Sequence, residues 1–169
     1  MDYQVPNHHS VDTEAIQELA IEFSKEIGYT IGGDLRQCVI NYGGMIKDLT
    51  QDSFEESGDG TIIVDGPQKF TIHLSAYTGE MRNRFTIAHE LGHYVLHSQK
   101  GKIPLKAKRF GSSFSETQAN RFGAELLMPE DIFRASYFEQ NGSISRLASV
   151  FGVSLTAIDV RIESLNIHV

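Results

Sequence analysis

Two histidines and a glutamate lie within the pentapeptide HELGH, at residues 89–93. On an α-helix, His89 and His93 are four residues apart, so their imidazoles project from one face at a separation that suits a single Zn²⁺. Glu90 lies about 100° further round the helix, where it is better placed to contact a water on the metal than the metal itself. The pattern therefore predicts half of a zinc peptidase site, two ligands and a base.

The residues around HELGH predict a buried helix from about Glu80 to His97, because apolar and small side chains recur there at helical spacing. Two imidazoles in such a helix need partners, since buried polar groups without partners destabilise the fold. The alternative to a metal pair is two core histidines satisfied by hydrogen bonds. The context favours the metal pair.

A third histidine does not complete the site. The extension of HExxH that uses one requires a glycine three residues after His93 and a histidine three residues later, but the chain has Leu96 and Gln99 there. His97 lies eight residues after His89, roughly 12 Å along the helix axis, which is too far to share one ion with it. We therefore predict that His97 is a helix C-terminal residue whose partly cationic ring suits the dipole.

A second helix, over residues 115–128, offers a glutamate as the third ligand. Apolar and small residues recur in it at helical spacing, and Pro129 ends it. Glu116 lies in the first turn, where it would complete the ligand set of the two histidines. Asn120 follows on the same face, where its oxygen can accept the other N–H of a ligand imidazole.

Glu116 also has a second interpretation. With Ser113 it fits a capping box, in which the glutamate reaches back to the backbone N–H of the cap. We favour the ligand role because the HELGH histidines precede it in the chain. Ala119 and Gly123 are small enough to let the two helices approach closely, and Glu125 is expected to be solvated or to cap a helix.

The blocks RFTIAHELGHYVLH and ETQANRFGAELLMP, in this order, resemble the ImmA/IrrE-type metallopeptidases, in which RxTxAHELGH is followed by ExxANxFAxxLLMP. The match covers about residues 80–130 closely, with Gly123 where alanine is usual. The resemblance implies a fold similar to gluzincins, zinc on the two HELGH histidines and Glu116, and Glu90 as the general base. It also implies a substrate that is often a helix-turn-helix repressor, cleaved at one site.

Composition limits what the rest of the chain can be. A length of 169 residues allows one compact domain with a small appendage, so we predict a zincin-like domain over residues 1–135 and a subdomain packed on it over residues 136–169. No apolar run is long enough to cross a membrane, and the start of the chain lacks the features of a signal peptide. The single Cys38 cannot form an internal disulfide, which fits the reducing cytoplasm.

The net charge of −7 does not favour a surface that binds nucleic acid. One basic segment lies between the two metal-bearing helices, and a solvated loop is its favoured interpretation. A basic lip beside the active site, which attracts an acidic partner or nearby DNA, is the alternative. The segment contains Lys100, Lys102, Lys106, Lys108 and Arg109.

The first half of the chain predicts an α+β, zincin-like layout. Helical patterns cover residues 11–27 and 34–42, and strand patterns cover residues 43–49, Thr61–Asp65 and Phe70–Leu74. The last two strands read as a hairpin, so we expect a small antiparallel sheet packed on helices.

The strand just before the zinc helix is also our candidate for the sheet edge that binds an extended substrate. Its residues are Phe70, Thr71, Ile72, His73 and Leu74.

Residues 143–167 predict two helices with a turn at Gly152, which resembles a helix-turn-helix. The second helix carries Asp159, Arg161 and Glu163, so it is net negative and poorly suited to phosphates or base edges. We predict a packing or partner-recognition module, and direct binding to DNA is not expected.

Two functions follow from these patterns. The first is a zinc-dependent endopeptidase, with Mn²⁺ as the alternative metal, that cleaves a repressor or antitoxin-like protein. The second is a non-enzymatic, metal-containing regulator or toxin–antitoxin protein that acts by binding protein or DNA. Retention of biological activity after Glu90→Gln would favour the second.

Overall fold

The computed structural model of the chain describes residues 1–6, 11–50, 61–108 and 113–168. These residues confirm the α+β architecture, with seven α-helices and four strands among them. In chain order the elements are α1 (Thr13–Glu26), α2 (Leu35–Tyr42), β1 (Met45–Leu49), β2 (Thr61–Gly66), β3 (Lys69–Ser75), α3 (Glu80–Gly92) with a π-helical continuation (His93–His97), β4 (Leu105–Lys108), α4 (Phe114–Leu127), α5 (Glu130–Glu139), α6 (Ile144–Phe151) and α7 (Leu155–Ser164).

The helix ends follow from local sequence. The Asp12 carboxylate accepts the N–H of Ala15 at 2.8 Å and begins α1. Gly43 ends α2 with a φ of 116°, and Gly152 separates α6 from α7 with a φ of 64°. Left-handed backbone of this kind favours glycine, so these two turns lie where the sequence indicates them.

The sheet is mixed rather than purely antiparallel. Its strand order is β1-β3-β2-β4. The predicted hairpin of β2 and β3 is present, and β4 pairs antiparallel with β2, but β1 pairs with β3 in parallel. The expectation of an antiparallel sheet is therefore wrong for β1, because residue periodicity predicts a strand but not the direction of a partner that is distant in the chain.

The assignment of Phe70–Leu74 as an edge strand is also wrong. These residues belong to β3, which lies between β1 and β2 and pairs with both. Its backbone groups are already used in the sheet, so it cannot accept a substrate strand. Within the described residues the edges are β1 and β4, and β4 lies in the segment that was expected to be a basic loop.

The close packing of α3 on α4 depends on small residues. A Cβ on Gly92 would lie 2.9 Å from the Cα of Ala119, and a Cβ on Gly123 would lie 3.1 Å from the backbone nitrogen of His89. On its other side the helix and its π-helical continuation contact the sheet. This arrangement brings the first turn of α4 against the HELGH histidines.

The C-terminal helices are joined to α4 by a buried ion pair. The Arg161 guanidinium is 5% exposed and donates to Glu125 Oε1 at 2.7 Å and to the Met128 carbonyl at 2.8 and 3.1 Å. Glu125 also accepts the N–H of Glu130 at 3.4 Å. The expectation that Glu125 caps a helix is confirmed, because Glu130 is the first residue of α5. The alternative that Glu125 is solvated is wrong, because α7 covers the face of α4 that the local pattern leaves exposed.

Arg161→Ala is expected to lower the free energy of unfolding by about 3–5 kcal/mol, because it leaves Glu125 buried without its cation. Urea denaturation followed by circular dichroism measures this change. Arg146 on α6 is exposed, and Arg146→Ala is the matched control, with an expected change within about 0.5 kcal/mol. Equal stability of the two variants would show that this pair does not hold the C-terminal helices in place.

None of the described helices is both long enough and apolar enough to cross a membrane.

Candidate metal centre

His89 and His93 meet Glu116 between α3 and α4. Nε2 of His89 lies 3.0 Å from Glu116 Oε2, and Nε2 of His93 lies 2.9 Å from Glu116 Oε1. The three candidate ligand atoms all lie within 4.8 Å of one another. Both histidines are 1% exposed. The structure thus brings together three of the residues that sequence spacing singled out.

The donor set fits a metal better than it fits a hydrogen-bonded cluster. The Nε2 atoms of His89 and His93 are buried, and neither has a hydrogen bond of acceptable geometry to the described residues, despite the nearby carboxylate. Buried polar atoms left in this state are destabilising. Two imidazole nitrogens and one carboxylate that converge in this way match a zinc site with an open fourth position.

Glu116 takes part in half of a capping box. Ser113 Oγ accepts the backbone N–H of Glu116 at 3.3 Å and begins α4. The Glu116 carboxylate does not complete the box but faces the two imidazoles. The backbone of Glu116 therefore takes part in the helix cap, as the capping interpretation predicts, and its side chain lies at the centre, as the ligand interpretation predicts.

The local electrostatics favour the protonation states that a metal binds. Burial acts to raise the pKa of Glu116, but the contacts with His89 and His93 outweigh it and lower that pKa to about 2. Burial also lowers the pKa of His93. Near neutral pH the carboxylate is therefore ionised and the His93 ring neutral, as metal binding requires.

Asn120 lies where it can orient His89. Its Oδ1 is 2.7 Å from Nδ1 of His89. An amide oxygen only accepts, so Nδ1 carries the proton and the lone pair of Nε2 points toward Glu116. The contact fixes the tautomer that a metal ligand needs.

His97 and Gln118 orient His93 in the same manner. Nδ1 of His93 lies 2.9 Å from Nδ1 of His97, and Nε2 of His97 lies 3.0 Å from Gln118 Oε1. The amide nitrogen of Gln118 donates to the Val11 carbonyl at 3.5 Å, so the amide oxygen faces His97. His97 must then donate through Nε2 and accept through Nδ1, which leaves the Nε2 lone pair of His93 for a metal.

The prediction that His97 is the C-terminal residue of this helix is confirmed, but the prediction that its ring is partly cationic is wrong. Burial lowers the pKa of His97 to about 4, although the hydrogen bond to Gln118 acts to raise it. The ring is 5% exposed because α4 packs over this end of the helix. The role of His97 in orienting His93 was not predicted. The spacing of His93 and His97, again four residues apart on one helix, is the sequence feature that indicates it.

His97→Phe is expected to weaken zinc binding about 10- to 100-fold, because it keeps a buried ring but removes the acceptor for Nδ1 of His93. Competition with a chromophoric zinc chelator measures the dissociation constant. His73→Phe is the control, since His73 is half-buried on β3, and it should bind zinc as the unaltered chain does. Unchanged affinity in His97→Phe would mean that His97 does not support the centre.

The Glu90 side chain is 1% exposed and lies next to His89 on α3. On the side of Asn120, a groove of about 840 Å³ opens between α1, α3, α4 and α7. Phe85 and Thr117 line it together with Asn120. The candidate ligands and Glu90 are not among the residues that line this groove, so it borders the centre only through Asn120, which contacts His89.

The basic lip is only partly described. Lys100 forms an ion pair with Glu26, and its ammonium group lies 5.8 Å from the ring centroid of Phe23. Its charge is therefore paired on α1 and does not contribute to a lip beside the centre. Lys102 and Lys106 are exposed. The side chain of Lys108 and the whole of Arg109 lie outside the described residues, so the lip stays a prediction.

Comparison with known proteins shows the affiliation of the chain. The profile of the Peptidase_M78 family, described as the IrrE N-terminal-like domain, matches residues 49–163. No curated protein matches the sequence significantly. Among solved structures, a Mycobacterium tuberculosis transcriptional regulator is similar with a TM-score of 0.62 and 16% identity, over 89% of this chain and 46% of that chain. This likeness shows the fold, which confirms the zincin-like layout, and this chain spans about half the length of that protein.

Proposed function

The chain belongs to the IrrE N-terminal-like family, Peptidase_M78, and on that premise we propose that it is a zinc-dependent endopeptidase that cleaves a specific regulatory protein. One observation carries the proposal. Two buried imidazole nitrogens and the Glu116 carboxylate converge within 4.8 Å beside a buried glutamate, Glu90. This combination serves hydrolysis, whereas a purely structural zinc site is normally closed by four protein ligands.

His89, His93 and Glu116 would hold the metal. When bound there, zinc would act as a Lewis acid that lowers the pKa of water and polarises a carbonyl group. Asn120 and the pair His97–Gln118 hold the two imidazoles in the tautomer that presents Nε2.

Glu90 is the proposed general base. Its carboxylate would take the proton from the water that attacks the scissile carbonyl and deliver it to the leaving amine. Burial of the side chain excludes bulk water from this proton transfer.

We propose a helix-turn-helix repressor or an antitoxin-like protein as the substrate. The resemblance to ImmA/IrrE-type peptidases motivates this choice, and the similar Mycobacterium tuberculosis structure is named a transcriptional regulator. On α7, Asp159 and Glu163 are exposed whereas Arg161 is buried. This acidic surface supports contact with a protein rather than with DNA.

Incubation with any repressor-like protein encoded beside this chain tests the proposal. Zinc-loaded protein is mixed with the repressor, with and without a chelator, and the masses of the products are measured by mass spectrometry. We expect one discrete cut that the chelator prevents. An intact repressor in both samples would contradict the proposed substrate.

A non-enzymatic regulator is the second candidate, and it is favoured by the name of the similar structure. In that case zinc would stabilise the contact of α3 with α4, and Glu90→Gln would leave biological activity unchanged. For either function we propose a cytoplasmic location, because the single Cys38 is a free thiol.

A further inference from the structure

Residues 1–6, here called the N-terminal strap, lie along the outer edge of β4. Gln4 forms an isolated parallel bridge with Leu105. The N–H of Gln4 donates to the carbonyl of Pro104 at 2.9 Å, and the carbonyl of Gln4 accepts from the N–H of Lys106 at 3.0 Å. The Tyr3 hydroxyl donates to Asp65 on β2 at 2.5 Å. The strap thus occupies hydrogen-bonding groups of a sheet edge.

This edge lies beside the metal centre. The strap and Glu116 line one cavity of about 440 Å³, together with Lys106, Ser113 and Ser115. The side chain of Glu116 is 14% exposed, whereas the side chains of His89 and His93 are each 1% exposed. A chain on the outer edge of β4 therefore passes the most accessible ligand of the centre.

The strap is held by few contacts. Met1 and Val5 are both 77% exposed and Tyr3 is 42% exposed, so little apolar surface is buried. Among the described residues the strap makes three hydrogen bonds to the sheet, and two of them join backbone groups. Strand addition uses such groups whatever the side chains are. Another extended peptide can make the same two bonds.

Peptidases commonly bind an extended substrate segment along a sheet edge, and β4 is the edge beside the centre. We propose that the strap is an intramolecular competitor of the substrate for this edge. The incoming segment pairs with the Pro104 carbonyl and the Lys106 N–H and displaces Gln4. The fraction of molecules with the strap displaced then sets the apparent affinity for substrate. The link to catalysis rests on the proposed peptidase function, whereas the competition for the edge does not.

Gln4→Pro tests the competition, because it removes the N–H that donates to Pro104. Val5→Pro is the matched control, since no hydrogen bond joins the Val5 amide to β4 in the described residues. Cleavage of a fluorescein-labelled repressor-like substrate by the zinc-loaded proteins gives kcat and KM. We expect Gln4→Pro to lower KM about fivefold, the factor that corresponds to one backbone hydrogen bond, with kcat unchanged. Val5→Pro should match the unaltered chain, and a KM shared by all three proteins would overturn the proposal.

A binding measurement separates this proposal from the peptidase proposal. A fluorescent peptide with the sequence of residues 1–6 is titrated into the metal-free proteins, and its anisotropy is recorded. We expect Gln4→Pro to bind it about fivefold more tightly than Val5→Pro and the unaltered chain do. Equal binding in all three, or none in Gln4→Pro, would overturn the strap proposal even if the repressor-like substrate is cleaved. The expected binding without any cleavage of that substrate would support the strand site and count against the peptidase.

Discussion

Glu90→Gln is expected to reduce peptide-bond hydrolysis about 10²- to 10⁴-fold while zinc binding is retained. The substitution replaces a carboxylate by an amide of the same shape, so the side chain can no longer accept the proton from the attacking water. Glu90 is adjacent to His89 but is not among the three converging ligands, so the centre should keep its metal. Initial rates of cleavage of the repressor-like substrate and zinc content by plasma mass spectrometry measure the two effects.

Glu80→Gln is the matched control, because Glu80 is exposed at the start of the same helix. It should retain both the metal and the rate of the unaltered chain. A Glu90→Gln protein that cleaves at the normal rate would remove the general base from the mechanism. Loss of zinc from it would instead assign Glu90 a structural role at the centre.

Glu116→Gln is expected to weaken zinc binding more than about 100-fold, which exceeds the loss typical of residues that only orient a ligand. The low pKa of Glu116 keeps the carboxylate ionised throughout the neutral range, and the amide cannot replace that charge. Hydrolysis should disappear at zinc concentrations that saturate the unaltered chain. Competitive titration with a chromophoric chelator measures the affinity.

Glu139→Gln is the control for this variant, since Glu139 is an exposed glutamate on α5. It should bind zinc normally. If Glu116→Gln also bound zinc normally, the role of Glu116 would be limited to capping α4. The ligand set would then lack its carboxylate.

Much of the centre could be predicted from sequence because its geometry is local. The spacing of His89 and His93 places both rings on one face of α3, and the small residues Ala119 and Gly123 indicate where α4 can approach. The predicted helix from Glu80 to His97 is present, but its last turn is π-helical. Periodicity does not distinguish these two windings over five residues.

The features that were mispredicted depend on contacts between distant parts of the chain. His97 does end its helix, but its ring looks exposed until Gln118 of α4 covers it, and Glu125 looks exposed until Arg161 of α7 reaches it. The parallel pairing of β1 and the position of β4 at the sheet edge likewise depend on chain path. No local pattern carries that information.

The most direct test of the central claim is the mass spectrum of a candidate substrate, any helix-turn-helix repressor encoded beside this chain, after incubation with the purified protein under three conditions. The protein is used with zinc, with a chelator, and with zinc restored after chelation. We predict discrete cleavage products with zinc, none with the chelator, and the same products once zinc is restored. Products that persist through chelation, or a zinc-loaded protein that produces none, would contradict a metallopeptidase built on His89, His93 and Glu116.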